Sequence, residues 1–476
     1  MNLVEWVKMT CGNVSFSIIL LQLTSPIKGT DSGIINSIIK TAVVPPVLLA
    51  VAAVLCYLFI VRGMYALEDL PVKKIPRWSK ICIEVVMVVF FLHTVQIQGT
   101  EIGMWDYIQS VRESSDFYEK EYVNPAKVKM TFPKEKKNLI YIFMESMESS
   151  YADKEDGGTM EDNYIPNLTK LARENVQFTD KKDGKVGGPV CLEATAYTAG
   201  GLIAQTSAIN LKVMNSGAVS DSFLPNLTAL GDILNKQGYN QMFLCGSDGD
   251  FAGRDAYFKT HKDYQIEDYK AAIKEGDIPK DYKVYWGHED KVLYERAKKN
   301  LKKLSKEGKP FNLTMLTVDT HFPNGYICDL CENKYDTTYG NAVACADRQV
   351  YDFVQWIKKQ DFYEDTTIII AGDHTSMVDT GSKFWKSLSN DYQRTVYNAI
   401  INPQCAYKKK VTTKRKFSTM DMFPTTLAAL GVEIDGNKLG LGTNLFSGEE
   451  TLREELGANY INKELKRNDK MYNQFY

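Results

Sequence analysis

The chain has 476 residues, with 57 Lys or Arg side chains against 59 Asp or Glu side chains, so its formal net charge at pH 7 is -2. A chain of this length can bury the core of one large domain and still carry attachments. The near balance of charge excludes an overall basic field, and we predict no nucleic-acid partner.

Apolar residues are concentrated in the first hundred positions, and they predict a membrane anchor in residues 1–100. Residues 41–61 contain no charged side chain and are long enough to cross a hydrocarbon core of roughly 30 Å as a helix. A shorter apolar segment at residues 81–95 includes a Glu and a His, and we predict a second crossing there. Residues 14–27 favour an interfacial segment, with a third crossing as the alternative.

The stretch between the two predicted crossings is basic. Its Lys and Arg residues are Arg62, Lys73, Lys74, Arg77 and Lys80. Because short basic loops stay in the cytoplasm, the chain after residue 100 is expected to face outward. The sequence therefore predicts a multi-pass protein of the cell membrane with its main domain extracellular or periplasmic.

The remainder of the chain divides into three predicted parts. Residues 101–135 mix charges, aromatic residues and prolines, which is typical of a juxtamembrane connector. In residues 136–447 short apolar strands alternate with helical stretches, which indicates one α/β domain with a mainly parallel central sheet flanked by helices. The alternating segments are 138–144, 166–174, 223–237, 241–245, 291–303, 312–318, 343–358 and 367–372. Residues 448–476 are charged and predict a helical tail.

Two of the predicted strands end in side chains that bind metals. Asp373 and His374 follow the apolar run at 367–372, and Glu145 follows the run at 138–144. Ligands of open α/β sheets bind outside the carboxyl ends of the strands, where these side chains would lie. Carboxylate and imidazole donors suit Mn, Zn or Mg, and the lack of thiolates argues against a structural zinc site. The alternative is that each residue only caps a helix or is a polar residue of the loop that follows the strand.

A candidate nucleophile lies between these two strands. Residues 187–201 are rich in small residues, and Thr198 is placed at the start of a predicted helix. A metal could activate its hydroxyl, while the helix N-terminus stabilises an anionic phosphate. The alternatives are that Thr198 is a simple helix cap and that Thr195, in the same loop, is the reactive residue.

Three cysteines of the predicted outer domain are close in sequence, at Cys328, Cys331 and Cys345. The first two could form half of a zinc site, but no second Cys or His pair follows at the spacing of a zinc finger. We therefore expect a disulfide among the three if the compartment is oxidising.

The sequence resembles the lipoteichoic acid synthase and phosphoglycerol transferase branch of the alkaline phosphatase and sulfatase superfamily. The resemblance runs through most of the predicted outer domain in the order of the family's motifs. The matching segments are 138–146, 197–202, 251–254, 319–323, 371–374 and 421–425. Each segment is weak evidence alone, but the ordered set is specific.

The resemblance implies an alkaline-phosphatase-like fold with a single divalent metal, typically Mn, with Mg or Zn as alternatives. Its ligands would be Glu145, the oxygen of Thr198, Asp373 and His374. Three of these four residues are also indicated by their place at strand ends.

The resemblance further implies a substrate pocket. His321 matches the family's pocket histidine, suited to binding phosphate or moving a proton, with a hydrogen-bonded loop histidine as the alternative. Arg254 would bind a phosphate oxygen, with a surface ion pair as the alternative. Residues 286–290 are a further pocket segment, in which His288 has no assigned role.

The chain also departs from its relatives. Residues 191–195 lack the Pro and Arg that follow the formylglycine precursor in sulfatases, so sulfate-ester hydrolysis loses support. Ala252 stands where lipoteichoic acid synthases have a large aromatic residue, and residues 251–254 and 319–323 are closer to phosphoglycerol transferases that act on glucans. The membrane part is shorter than the five-helix anchor of lipoteichoic acid synthases.

Together these features predict a phosphoglycerol transferase. Thr198 would take glycerol phosphate from a phosphatidylglycerol-like lipid and pass it to a hydroxyl of a cell-envelope polymer or glycan. The alternatives are a phosphoethanolamine transferase, a sulfatase-type hydrolase of the same fold, and a non-catalytic membrane-anchored binding protein.

Overall fold

The structure is a computed structural model that describes residues 38–68, 77–182, 184–212 and 222–476, together with positions 16, 19, 20 and 36. Apart from three isolated positions, the predicted interfacial segment at 14–27 lies outside the described residues. Lys73 and Lys74 of the basic stretch also lie outside them. The membrane orientation derived from that stretch therefore stays a prediction.

A six-stranded sheet forms the centre of the fold, and its strand order is β5-β4-β6-β3-β7-β8. The strands are β3 (Asn138–Met144), β4 (Asn240–Cys245), β5 (Tyr264–Glu267), β6 (Phe311–Leu316), β7 (Thr366–Gly372) and β8 (Asn398–Ile401). Neighbouring strands are parallel except at one edge, where β8 runs antiparallel to β7. The predicted α/β class with a mainly parallel sheet is confirmed.

The central strand β3 shows why these apolar runs become strands. Tyr141 and Phe143 belong to the core on one face of the sheet. Ile140 and Ile142, which alternate with them, belong to the core on the other face. Because successive side chains of a strand point to opposite faces, only a sheet covered on both sides buries such a run.

Helices cover both faces. The helices are α1 (Val44–Glu68), α2 (Arg77–Glu101), α3 (Met104–Arg112), α4 (Phe117–Glu121), α5 (Pro166–Glu174), α6 (Thr198–Ser207), α7 (Leu230–Lys236), α8 (Arg254–Thr260), α9 (Tyr269–Glu275), α10 (Asp290–Leu304), α11 (Thr338–Ile357), α12 (Met422–Ala429), α13 (Leu452–Leu456) and α14 (Ala458–Lys466). Helices α6 and α12 pack on the face of Tyr141, and α5, α10 and α11 pack on the face of Ile140. The regular segment expected at 223–237 is helical only from Leu230: Leu224 is in the left-handed region with φ 53°, and the N–H of the N-cap residue Ala229 donates to Oδ2 of Asp232 where the helix begins.

Short two-residue strands complete the described elements: β1 (Ser114–Ser115), β2 (Met130–Thr131), β9 (Glu433–Ile434), β10 (Lys438–Leu439), β11 (Gly442–Thr443) and β12 (Asn468–Asp469). Strand β12 pairs in parallel with β1, so the C-terminal segment meets the predicted connector. Tyr472 and Phe475 are buried in the same core as Tyr141. The last residues of the chain are thus packed against the domain, while the predicted domain boundaries themselves stay predictions.

The N-terminal helices expose apolar side chains. A π-helical turn at Ile38–Val43 leads into α1, and Ile39–Phe59 is long and apolar enough to cross a membrane. The second predicted crossing lies in α2, which is followed by α3 at a bend of 77° around Gly103. Helices α2 and α3 are long and apolar enough to cross a membrane only when they are taken together as one bent span. Among the described residues, Ile39–Phe59 is therefore the one unbent helix that could cross, and the second crossing stays a prediction.

The cysteines that were expected to form a disulfide are free thiols. The Sγ atom of Cys328 lies 3.5 Å from that of Cys331 and 3.9 Å from that of Cys345. A disulfide joins its sulfur atoms at about 2.05 Å. The prediction of a disulfide among these cysteines is therefore wrong for this structure, although the three residues do lie together.

Candidate active site

Sheet topology brings the predicted metal ligands together. Strands β3 and β7 are parallel neighbours, and the last residue of β3, Met144, pairs with Gly372 at the end of β7. The next residues along the two strands, Glu145 and Asp373, therefore leave the sheet side by side. His374 follows directly, and the N-terminus of α6 delivers Thr198 to the same place.

The four side chains surround one small volume. The Thr198 hydroxyl donates a hydrogen bond of 3.1 Å to Oε2 of Glu145 and lies 3.4 Å from Nε2 of His374. Nε2 of His374 lies 3.3 Å from Oε1 of Glu145 and 3.5 Å from Oδ2 of Asp373. The carboxylates and the imidazole are buried, and their nearest donor atoms all lie within 4.8 Å of one another.

Backbone and hydroxyl groups hold these side chains in place. Ser146, in the left-handed region with φ 51°, donates its N–H to Oδ1 of Asp373 at 2.8 Å and its hydroxyl to Oε1 of Glu145 at 2.7 Å. The N–H of His374 also donates to Oδ1 of Asp373. Nδ1 of His374 lies 2.8 Å from the carbonyl oxygen of Thr375, which leaves Nε2 facing the other ligands. Such partners orient a metal-binding shell.

The donor set fits a divalent cation. Oδ2 of Asp373 is buried and has no hydrogen-bond partner among the described residues, and an unpaired buried carboxylate oxygen is costly. Burial and the charge of Glu145 raise the pKa of Asp373 to about 8. Burial acts on Glu145 in the same direction, but the charge of His374 and hydrogen bonds from His374 and Ser146 outweigh it and lower the pKa of Glu145. A raised pKa on one of two neighbouring carboxylates is expected where both share one buried site.

Helix α6 approaches the strand end closely. A Cβ atom at Gly201 would lie 2.1 Å from the backbone oxygen of Asp373, so only glycine allows this packing. Tyr197 occupies the N-cap position without a side-chain hydrogen bond to the helix, and Thr198 is the first helical residue. The hydroxyl of Thr195 is buried and bonded to the backbone of Leu192. This geometry favours Thr198 over Thr195 as the residue that faces the ligands.

Arg254 is buried, with 6% of its surface exposed, and it is not a surface ion pair. Its Nε donates to the carbonyl of Phe251 at 3.0 Å, and its Nη2 donates to Oγ of Ser247 and to the carbonyl of Asp248. Nη1 has no hydrogen-bond partner in the described part of the chain. The guanidinium is thus fixed from one side and retains donors for an anion.

His321 lies beside this arginine and the carboxylate site. Its Nδ1 lies 2.8 Å from the carbonyl of Phe322, so its Nε2 is the nitrogen left for a ligand. Burial lowers the pKa of His321, the charge of Glu145 opposes this, and the charges of His374 and Arg254 add to it. The net lowering favours a neutral imidazole at neutral pH.

An aromatic wall of the pocket was not assigned from the sequence. The ring of Trp286 lies 4.7 Å from that of His321 and 5.2 Å from that of Phe251, measured between ring centroids. It packs against Phe251, which directly precedes Ala252, the position at which lipoteichoic acid synthases were expected to have a large aromatic residue. Nε1 of Trp286 and Nε2 of His288 are buried without hydrogen-bond partners among the described residues. The only sequence signal was the pocket segment at 286–290, which does not indicate which side chain faces His321.

Comparisons with known proteins agree with this architecture. A family model described as Sulfatase matches residues 137–432. Phosphoglycerol transferase I of Salmonella choleraesuis (strain SC-B67) is 32% identical over 340 residues, which cover 69% of this chain and 41% of that protein. The chain thus spans about two fifths of the length of the curated relatives it matches.

Solved structures share the fold. The lipoteichoic acid synthase LtaP from Listeria monocytogenes matches with a TM-score of 0.51 and 18% identity over 67% of this chain and 79% of that one. The integral membrane protein lipooligosaccharide phosphoethanolamine transferase A from Neisseria meningitidis matches with a TM-score of 0.50 and 16% identity over 90% of this chain and 82% of that one. The predicted resemblance is confirmed. Because the family model matches more than half of the residues of this chain, the chain belongs to the sulfatase family.

Proposed function

We propose that the protein is a membrane-anchored, metal-dependent phosphoglycerol transferase. It would move glycerol phosphate from a phosphatidylglycerol-like lipid, through a phosphothreonine at Thr198, to a hydroxyl of a cell-envelope polymer or glycan. The main support is the hydroxyl of Thr198, which faces Glu145 and His374 at the start of a buried helix. The phosphoglycerol transferases among the relatives suggest the headgroup.

One divalent cation would be held by Glu145, Thr198, Asp373 and His374. Oxygen and nitrogen donors suit Mn, the metal that we propose, with Mg or Zn as alternatives. When bound, the cation lowers the pKa of the threonine hydroxyl and offsets negative charge on the phosphate.

The chain's own residues would carry the transfer in two steps. In the first step the hydroxyl of Thr198 gives up its proton as its oxygen bonds to phosphorus, the bond to the diacylglycerol oxygen breaks, and that oxygen takes up a proton. In the second step the acceptor hydroxyl attacks the phosphothreonine, loses its proton, and the hydroxyl of Thr198 is restored. The neutral ring of His321 suits it to accept the proton of the attacking hydroxyl in each step and to return it to the leaving oxygen of the same step.

Arg254 would hold the phosphate during both steps. Its Nε and Nη2 are fixed by Phe251, Ser247 and Asp248, so Nη1 needs no rearrangement to donate to a phosphate oxygen. The amide groups at the start of α6 would favour the same negative charge. Prior positioning of these donors reduces the cost of organising the site during reaction.

The apolar helix at Ile39–Phe59 would keep the site beside its lipid donor. We propose that this helix and the second predicted segment at 81–95 cross the cell membrane and that the catalytic domain faces outward. The sulfate-ester alternative has less support because residues 191–195 lack the formylglycine signature.

The test uses the full-length protein in mixed detergent and lipid micelles with labelled phosphatidylglycerol or phosphatidylethanolamine. We expect diacylglycerol release from phosphatidylglycerol and a glycerol phosphate adduct on the peptide that contains Thr198. Thr198→Ala should give neither, while Thr380→Ala, a change at an exposed threonine, should behave as the unmodified chain. Release from phosphatidylethanolamine alone would establish the phosphoethanolamine alternative, and release from neither lipid would contradict the proposal.

A further inference from the structure

The three free cysteines form a compact cluster outside the candidate active site. Cys328 and Cys331 lie in the loop between β6 and α11, and Cys345 lies on α11. Cys328 and Cys345 are buried, and Cys331 is partly exposed. The cluster therefore joins the loop to the helix at a place with limited access to water.

The spacing of the sulfur atoms fits a tetrahedral metal site. The Sγ atoms of Cys331 and Cys345 lie 3.5 Å and 3.9 Å from that of Cys328, and all three lie within 4.8 Å of one another. Sulfur ligands at about 2.3 Å from a tetrahedral zinc ion lie about 3.8 Å apart. The measured separations fall on both sides of that value and are far longer than the bond of a disulfide.

Local hydrogen bonds also suit metal-binding sulfur atoms. The N–H of Cys331 donates to the carbonyl of Cys328 at 3.1 Å, which closes a turn over the Cys-x-x-Cys spacing. The N–H of Cys328 donates to Sγ of Cys331 at 3.3 Å, and Nε2 of Gln349 donates to Sγ of Cys345 at 3.5 Å. Donors that point at sulfur orient ligands and stabilise the thiolate form that binds metals.

We propose that Cys328, Cys331 and Cys345 bind one zinc ion that is separate from the metal of the candidate active site. Thiolates select soft cations, whereas the carboxylates and imidazole at the strand ends select harder ones. The partly exposed side of Cys331 leaves the fourth position for water or another small donor. This proposal does not depend on the proposed transferase activity.

The zinc ion ties down the loop that carries His321. Near its start, the loop is closed by hydrogen bonds from the N–H of Gly325 to the carbonyl of His321 and from the N–H of Tyr326 to that of Asp319. The cluster holds the following part of the loop to α11 through Cys345. The zinc site thus positions the loop and makes no contact with the reacting atoms.

The test measures the zinc content of the full-length protein carrying Asp373→Asn and His374→Gln. These two changes remove two ligands of the candidate active site. We expect one zinc per chain by elemental mass spectrometry. Adding Cys345→Ser should remove that equivalent, whereas adding Cys405→Ser, a change at a partly buried cysteine outside the cluster, should retain it. Retention of zinc after Cys345→Ser would overturn the proposal.

A second measurement needs no cysteine variant. The unmodified chain is treated with an alkylating reagent without reductant, before and after a chelator removes bound zinc, and the labelled peptides are identified by mass. We expect the three cysteines to be protected at first and to react once zinc is released. A mass lower by two hydrogens from a disulfide among them, or immediate alkylation of all three, would overturn the proposal.

Discussion

The strand-end site and the cysteine cluster are assembled in opposite ways. Ser146 and Asp373, hydrogen-bonded in the first, are 227 positions apart, while Cys328 and Cys345 of the second are 17 apart. The first offers oxygen and nitrogen donors, and the second offers sulfur. The sheet thus places the groups proposed for chemistry, whereas a local loop and helix place the groups proposed for support.

This difference predicts a ranking of effects. Changes at the strand ends or at α6 should remove the transfer reaction and leave zinc at the cysteines. Changes at the cysteines should weaken the reaction through the loop of His321 and leave the strand-end ligands in place.

Thr198→Ala should have the largest effect, because it removes the proposed nucleophile. We expect lipid turnover to fall on the order of 10⁴-fold or more, as when other enzymes lose a nucleophile. The three remaining ligands should still bind metal, which elemental analysis would check against diacylglycerol release. Substantial residual transfer by this variant would show that another group attacks the phosphate.

Gly201→Ala should come next, because its Cβ would lie 2.1 Å from the backbone oxygen of Asp373. Helix α6 must move away, which costs about 1–3 kcal/mol and displaces Thr198, so turnover should fall on the order of 100-fold. Thermal unfolding and diacylglycerol release measure the two effects. Gly381→Ala is the matched control, since the nearest atom to its Cβ lies at 3.5 Å, and it should change neither quantity. Normal turnover in Gly201→Ala would contradict the importance of this close approach.

Sequence patterns predicted which residues lie at the strand ends, and the reason is physical. Strands β3 and β7 are buried on both faces, so their apolar runs are unambiguous, and the residue that ends each run must lie at the sheet edge. The structure places Glu145, Thr198 and His374 together accordingly, while their roles stay predictions.

The sequence was less informative where loops meet. The contact of Trp286 with His321 depends on the conformations of separate loops, including the left-handed backbone of Ala252 with φ 54°. No periodic pattern encodes such a contact. The cysteines were predicted to be neighbours, but spacing alone could not separate a disulfide from three thiols around an ion, because that choice depends on sulfur positions in three dimensions.

Among changes at the candidate active site, Arg254→Lys should lower turnover less than Gly201→Ala does. Lysine keeps the charge but loses the planar group that Phe251 and Ser247 fix, so a phosphate contact worth about 1.5–3 kcal/mol is weakened. We expect kcat/KM for lipid to fall roughly 10-fold to 100-fold while metal content is unchanged. Arg173→Lys, at an exposed ion pair with Asp156, is the control and should match the unmodified chain. An unchanged kcat/KM in Arg254→Lys would remove this residue from the phosphate site.

Cys345→Ser should have the smallest effect on turnover, and it directly tests whether the cysteine cluster only supports the active site. It removes a proposed zinc ligand while every strand-end ligand remains, so only the positioning of the loop that carries His321 should change. Changes that act through such coupling are worth about 0.5–2 kcal/mol, so kcat should fall roughly 2-fold to 30-fold while the strand-end metal is retained. Cys405→Ser should leave turnover and metal content unchanged. The contradicting outcome is a loss of turnover as large as that of Thr198→Ala in a protein that still unfolds cooperatively and keeps its strand-end metal. The cysteine cluster would then take part in the chemistry, and the proposed division between the two regions would be wrong.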